Sequence, residues 1–264
     1  MKILYFGDVM GSAGQEVLLH YLPELKEQYE PDVVVAQGEN LSNGRGMKLD
    51  DVRRLQQAGV DFFTGGNWTP FDDAIRPQLE NPAEPIIGPA NFEAYTGPSA
   101  KFLEKNGKKI MFVSLLGQTV GKPLPGVGNP LTMIDEILDE ELAKRTPDAI
   151  IVNFHGDYSS EKRIIGYYLD GKVSAIVGDH WHVPTADAMI LPNGTAHITD
   201  VGMCGNLHSS LGVSLDSVIP RWKDNVQTKN ELDQSKPWQL NAVLIETKSA
   251  SKSDSITQIQ KLLN

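Results

Sequence analysis

The chain has 264 residues, enough to bury a large core as one α/β domain. A formal charge of −10 and a pI of about 5.1 argue against a nucleic-acid scaffold, which needs clustered Lys and Arg. A small phosphorylated substrate stays open, because bound cations can reverse the local field.

The single cysteine, Cys204, excludes an intrachain disulfide framework and fits a reducing compartment. Residues 2–6 form an apolar run and predict a short strand, followed by the glycine-punctuated loop GDVMGSAG. Residues 15–29 carry Val17, Leu18, Tyr21, Leu22 and Leu25 at helical spacing. DVVVA at 32–36 reads as a buried strand and 49–58 as a helix after the loop GENLSNGRGMK. A strand at 61–64 and a short helix at 71–79 come next. The alternation continues with a strand at 109–116, a helix at 131–145, a strand at 149–154, a helix at 160–169 and a strand at 173–177. MILPNGTAHITD then holds Asn193-Gly194 between two short β-prone runs, a hairpin signal. Residues 223–236 are polar and predict a mobile surface loop, 238–246 (WQLNAVLIE) a strand, and a C-terminal helix is expected from about Ser253. No apolar run reaches membrane-spanning length and MKILYFGD enters a strand directly, so a cytoplasmic protein without signal peptide or membrane contact is expected. The sum is a layered α/β fold in a single domain, 1–264, with some antiparallel pairing near the C-terminus.

Polar residues collect at the C-terminal ends of these strands, where open α/β folds place ligands. They are Gly7-Asp8, Gly38-Glu39-Asn40, Gly65-Gly66-Asn67, Asn153-Phe154-His155 and Gly178-Asp179-His180-Trp181-His182. Singly, each has a plain reading: Asp8 as a helix cap, GEN and Asn67 as turn residues, His155 as a satisfied or exposed histidine. In an extended segment His180 and His182 would point to one side and Trp181 to the other, as packing. Together, five strand ends supply carboxylates, amides and imidazoles without thiolate. That is a donor set for divalent first-row metals, in which one carboxylate can bridge two ions.

The chain resembles the calcineurin-like metallophosphoesterases, specifically their bacterial YmdB-like branch. The resemblance runs through GDVMGSAG, GENLSNGRG, GGNWT, NFHGDYSSEK, GYYLDGKVSAIVGDHWHVPTAD, NGTAHITDVGMCG and QLNAVLIE, nearly the whole chain. It implies a metallophosphoesterase-type β-sandwich flanked by helices, with a two-metal site at the strand ends that hydrolyses phosphodiesters, notably 2′,3′-cyclic nucleotides. Carried over, Asp8, Glu39, Asn40 and His182 would hold one metal. Glu39 would bridge to a second, completed by Asn67, His155 and His180. The superfamily's first-motif histidine is absent at Asp8-Val9-Met10, as in the YmdB-like branch, and Asn40 fills the gap. Family likeness favours iron or manganese; the donors also accept zinc. Likeness also suggests a homo-oligomer acting on a small phosphodiester or nucleotide, without stable nucleic-acid binding.

One position departs from the pattern. The family ordinarily has histidine after the asparagine of GGN, where this chain has Trp68. That histidine stabilises the phosphoryl charge or protonates the leaving oxygen, help worth roughly 10²–10⁴-fold. Indole donates a hydrogen bond but releases no proton near neutral pH. Metal binding is therefore expected to survive while turnover on poor leaving groups falls. Trp68 is a candidate to stack on a nucleobase, and Asn67 to hold the phosphoryl group together with the amides of its glycine-rich loop. His208, where relatives look more often acidic, is a candidate to supply the absent imidazole, against the plainer reading of a surface histidine. The second functional reading is a low-turnover, metal-containing regulatory protein that binds a nucleotide or phospho-ligand.

Overall fold

A computed structural model describes residues 1–264. Its elements in chain order begin with β1 (Lys2–Phe6), β2 (Asp8–Val9), α1 (Gly11–Tyr29), β3 (Val33–Gln37), α2 (Leu49–Ala58), β4 (Phe62–Thr64), α3 (Arg76–Glu80) and β5 (Ile86–Ile87). The middle of the chain holds β6 (Lys101–Lys105), β7 (Lys108–Leu116), β8 (Thr119–Val120), β9 (Lys122–Pro123), α4 (Pro130–Lys144), β10 (Ala149–His155) and α5 (Ser159–Tyr168). It ends with β11 (Ala175–Asp179), β12 (Met189–Ile190), β13 (Ala196–Ile198), β14 (Met203–Asn206), α6 (Leu215–Asp224), β15 (Trp238–Ser249) and β16 (Lys252–Leu263).

Strands such as β3 and β10 are buried at every position, so each needs cover on both faces. Two stacked sheets with helices outside supply it. The first sheet runs β2-β14-β15-β1-β3-β4-β5, with β16 along the other edge of β15. The second runs β12-β13-β11-β10-β7-β6, parallel at its centre and antiparallel at both edges. Side chains alternate between faces as the pleat requires. Ile110, Phe112, Ile151 and Val177 join the core between the sheets, while Met111, Val113, Ile150 and Ile176 pack outward with Ile134 and Leu138 of α4 and Ile165 of α5. Across the sandwich Phe62 stacks on Phe112 at 3.9 Å between ring centroids. Sequential parallel strands share one direction, so the C-terminal ends of β1, β3 and β4 meet those of β10 and β11.

Two expectations fail near the C-terminus. The segment from Ser253 is not a helix but β16, paired with β15 from Trp238↔Leu263 onward. Ile256, Thr257 and Ile259 are β-branched, and β15 offers a free edge along its length; the tertiary partner overrides the weak local pattern. Residues 223–236 are not a free loop either. Lys223 and Asp224 close α6, a helix obscured in the sequence by Pro220 inside it. The rest is tied down: Ser214 N donates to Glu231 O at 2.8 Å, Asp233 N to Gly212 O at 2.9 Å, and Gln234 Oε1 accepts from Ser12 Oγ and Ala13 N, both at 2.7 Å. The expected helix at 71–79 is also shorter, a single 3₁₀ turn (Thr69–Phe71) followed by α3. No helix is long and apolar enough to cross a membrane.

His197 of β13 is 1% exposed, and neither ring nitrogen has a hydrogen-bond partner. Burial lowers its pKa from 6.5 to about 4, against the pull of Asp187 and with the push of Arg163. Below pH 6.5 the unfolded chain takes up a proton that the folded chain refuses until about pH 4. The histidine's share of stability is therefore complete above 6.5 and lost as pH falls through that window, about 2 kcal/mol of it by pH 5. Urea unfolding at pH 7.5 and 5.0 should show the His197→Phe variant losing correspondingly less than the native chain. Equal losses would mean that His197 is not the group responsible.

Candidate active site

Asp8, which follows β1 and opens β2, is fully buried, as is Glu39 after β3; Asn40, Asn67 and His182 are each under a tenth exposed. Glu39, Asn40, Asn67, His155, His180 and His182 line one cleft of about 450 Å³, with Asp8 beneath it against His182. A hollow of about 500 Å³ between the N-terminal ends of α4 and α5 is slightly larger but contains none of these donors. The structure thus brings all seven expected ligands to one end of the sandwich.

The stretch GGNWT closes around Glu39. Gly66 N donates to Oε2 at 2.6 Å, Trp68 N to Oε1 at 2.5 Å, and Thr69 N and Oγ1 to Oε2 at 3.2 and 2.8 Å. Those amides are committed to a carboxylate, so the expected glycine-loop cradle for a phosphoryl group is not formed by them. Gly66 must lack a side chain, because a Cβ there would lie 2.6 Å from the His155 ring. The amide of Asn67 makes no hydrogen bond within the protein and lines the cleft.

Two histidines are anchored by one nitrogen and offer the other. His155 Nδ1 lies 2.6 Å from Asp179 Oδ1, leaving Nε2 to face His180 Nδ1 at 3.2 Å and Glu39 Oε1 at 4.0 Å. His182 Nδ1 lies 3.1 Å from Leu211 O, leaving Nε2 3.2 Å from Asp8 Oδ2 and 3.4 Å from Asn40 Nδ2. Anchoring of this kind fixes the tautomer of metal-binding imidazoles. The HxH segment is not extended, however: β11 stops at Asp179, and His180 and His182 have φ of 102° and 61°. The two rings consequently serve different neighbours, His155 and Asp8. Trp181 lies between them in sequence, and its Nε1 donates to Asp157 O at 3.0 Å.

Burial pushes the His155 pKa down to about 3, and burial together with His155 does the same to His180, so both lone pairs are available. Burial would lower His182 too, but Asp8, Asp200 and the Leu211 carbonyl together outweigh it and raise that pKa. Burial lifts Glu39 to about 8 despite the Trp68 N–H. Asp8 Oδ2 is buried without any hydrogen bond. A buried carboxylate oxygen left unpaired near the neutral imidazoles of His155 and His180 and the free amide of Asn67 is the chemistry of a cation site. No three carboxylate or imidazole groups cage a single point, because Glu39 is turned onto its loop. The donor types nonetheless fit a divalent metal, and the orphaned oxygen gives this more weight than the missing cage.

Several residues escape sequence reading. Asp179 is the hub behind His155, held by Gln37 Nε2 and Asn153 Nδ2, each at 2.5 Å. The sequence placed it at a strand end, but only the parallel register of β10 and β11 sets it beside His155. Lys162 is buried with Asp200 at 2.7 Å, donates to Asp179 O and Thr199 O, and lies 4.4 Å over the Trp181 ring. Asp200 Oδ2 in turn accepts from Trp181 N at 2.8 Å. His208 is a correction: it is exposed and does not line the cleft, whereas Ser210 and Leu211 of the same loop do. Ser209 Oγ bonds Asn206 O and Gly212 N, a tight turn that leaves His208 on the outside.

Residues 4–260 match the family described as YmdB-like protein. The chain is 38% identical over 253 residues to a protein of Bacillus subtilis named 2′,3′-cyclic-nucleotide 2′-phosphodiesterase, covering 96% of this chain and 93% of that one. The crystal structure of a phosphatase from Mycoplasma pneumoniae superposes with a TM-score of 0.90 at 32% identity, over 99% of this chain and 93% of that one. A 5′-nucleotidase from Candida albicans, 11% identical with a TM-score of 0.57, shares the fold over 100% of this chain and 51% of its own. The layered sandwich is thus of the metallophosphoesterase type.

Proposed function

The chain belongs to the YmdB-like family, and on that premise we propose that it is a metal-dependent phosphoric ester hydrolase acting on phosphodiesters such as 2′,3′-cyclic nucleotides. The observation that carries the reading is the buried Asp8 carboxylate, one oxygen without a hydrogen bond, beneath a cleft that also holds the neutral imidazoles of His155 and His180. Asp8, Asn40 and His182 would hold one divalent ion and Asn67, His155 and His180 another, with Glu39 between; iron or manganese suits the family, and zinc the donors. Bound there, two such ions supply Lewis-acid polarisation and an acidified water.

The chain's own residues do the rest. Asp179 and Leu211 O orient His155 and His182. The free Asn67 amide donates to a phosphoryl oxygen. Trp68, 38% exposed at the cleft, stacks on a nucleobase with the part of its ring that stays open. It delivers no proton, so the leaving oxygen takes one from solvent. A cytoplasmic setting suits the free, buried Cys204.

Trp68 also favours the second reading, a protein that binds a nucleotide and scarcely turns it over. Hydrolysis of 2′,3′-cyclic AMP and of an aryl phosphodiester by manganese-loaded protein separates the two. The native chain should turn over both. Trp68→His should gain up to about 10²-fold on the cyclic nucleotide and little on the aryl ester, whose leaving group needs no acid. Tight nucleotide binding with no native turnover would select the binding role instead.

A further inference from the structure

Residues 42–46 form a tight turn at the cleft mouth. Asn43, Gly44 and Gly46 are left-handed, with φ of 54°, 76° and 67°. Ser42 N donates to Gly46 O at 3.0 Å, Arg45 N to Ser42 O at 3.2 Å, and Gly46 N to Glu39 O at 2.5 Å. The turn sets Arg45 at its tip, with the guanidinium carbon 4.7 Å from the centroid of the Trp68 ring. Two arginines line the cleft. Arg221 is committed, its Nη2 donating to Thr228 Oγ1 at 2.9 Å, Thr228 O at 3.1 Å and Asn230 Oδ1 at 2.7 Å. Arg45 has no hydrogen bond or ion pair, although acidic residues outnumber basic ones by 34 to 24. An unclaimed guanidinium in so acidic a chain, stacked on the very residue that replaces the family's histidine, has its donors free for an anion in the cleft.

We infer that Arg45, resting on Trp68, is a substrate-contacting catalytic residue whose guanidinium donates to the nonbridging oxygens of the phosphoryl group. The inference rests on the hydrolytic reading above. Arg45 takes over the charge-stabilising half of the absent imidazole's task, and Trp68 is its platform. The acid half is not replaced. Water adds to phosphorus, the ester P–O bond breaks, and the departing oxygen takes its proton from solvent, since neither guanidinium nor indole releases one near neutral pH.

The test uses manganese-loaded protein with bis(p-nitrophenyl) phosphate and 2′,3′-cyclic AMP. Arg45→Gln should lower kcat about 10²-fold, the size of a lost transition-state donor. Trp68→Ala should cost nearly as much and Trp68→Phe little, and Arg45→Gln with Trp68→Ala should be no worse than Arg45→Gln alone. An Arg45→Gln enzyme within twofold of native overturns the inference, as do losses that multiply in the double variant. If the native chain hydrolyses neither diester, the hydrolytic reading falls by itself. Calorimetric titration of inorganic phosphate then decides on Arg45: a tenfold weaker Kd in Arg45→Gln upholds the contact, and an unchanged one removes it.

Discussion

Asp8→Asn is expected to abolish hydrolysis and, in chelator-treated protein, to raise stability. The two effects share a cause. Asp8 is fully buried, its Oδ2 accepts no hydrogen bond, and His182 Nε2 lies 3.2 Å from it. An isosteric amide removes a buried charge and can donate to that nitrogen, relieving on the order of 1–3 kcal/mol. The same change deletes the anionic ligand of the proposed metal site, so diester hydrolysis with manganese present should fall on the order of 10³-fold or more. Thermal unfolding after chelation, beside an assay of the manganese-loaded variant, reads both. A variant that is less stable when stripped yet still active would show that Asp8 is a structural residue and not a ligand.

The largest loss of stability is expected from Lys162→Met. Lys162 and Asp200 are at most 1% exposed, and the ammonium also satisfies the carbonyls of Asp179 and Thr199. Burial holds the Asp200 pKa up to about 6 even with Lys162 beside it. Removing the cation leaves a buried carboxylate without its counter-charge, a loss of about 3–5 kcal/mol. In a chain of this size that corresponds to a Tm lower by roughly 10 °C. Adding Asp200→Asn should return more than half of the loss, because the uncompensated charge goes with it. A single variant within about 1 kcal/mol of native, by urea titration at pH 7.5, would show that water reaches the pair and screens it.

What the sequence showed was what short-range chemistry dictates. β3, β7 and β10 were visible because burial on both faces leaves each with a long apolar run, VVVA, IMFV and AIIV. The donors were visible because each lies at the C-terminal end of a strand or within a few residues of it. The rest depended on partners far along the chain. β16 is a strand because β15 lies beside it, and nothing in SDSITQIQ announces that edge. Asp179, Lys162 and Asp200 form a unit only once β10, α5, β11 and the residues after β13 are assembled. The left-handed backbone at His180 and His182 redirects two rings that an extended segment would have aimed alike. Trp68 was legible as a departure, but not its backbone N–H on Glu39, since any residue except proline could supply it.

The position of β1 sets an order of events in the life of the chain. Between β3 and β15, its antiparallel partner runs from Ala242 to Glu246, and β2, which carries Asp8, pairs with Met203 and Cys204. A nascent chain emerging from the ribosome can shape β1, α1 and β3 early, but the strand that seals β1 exists only once residues 238–249 have been made. Until then one edge of β1 lies bare, an invitation to pair with other chains. The proposed metal site is therefore framed only after β15 has been made, and a message cut short before residue 238 yields a sheet open at its centre.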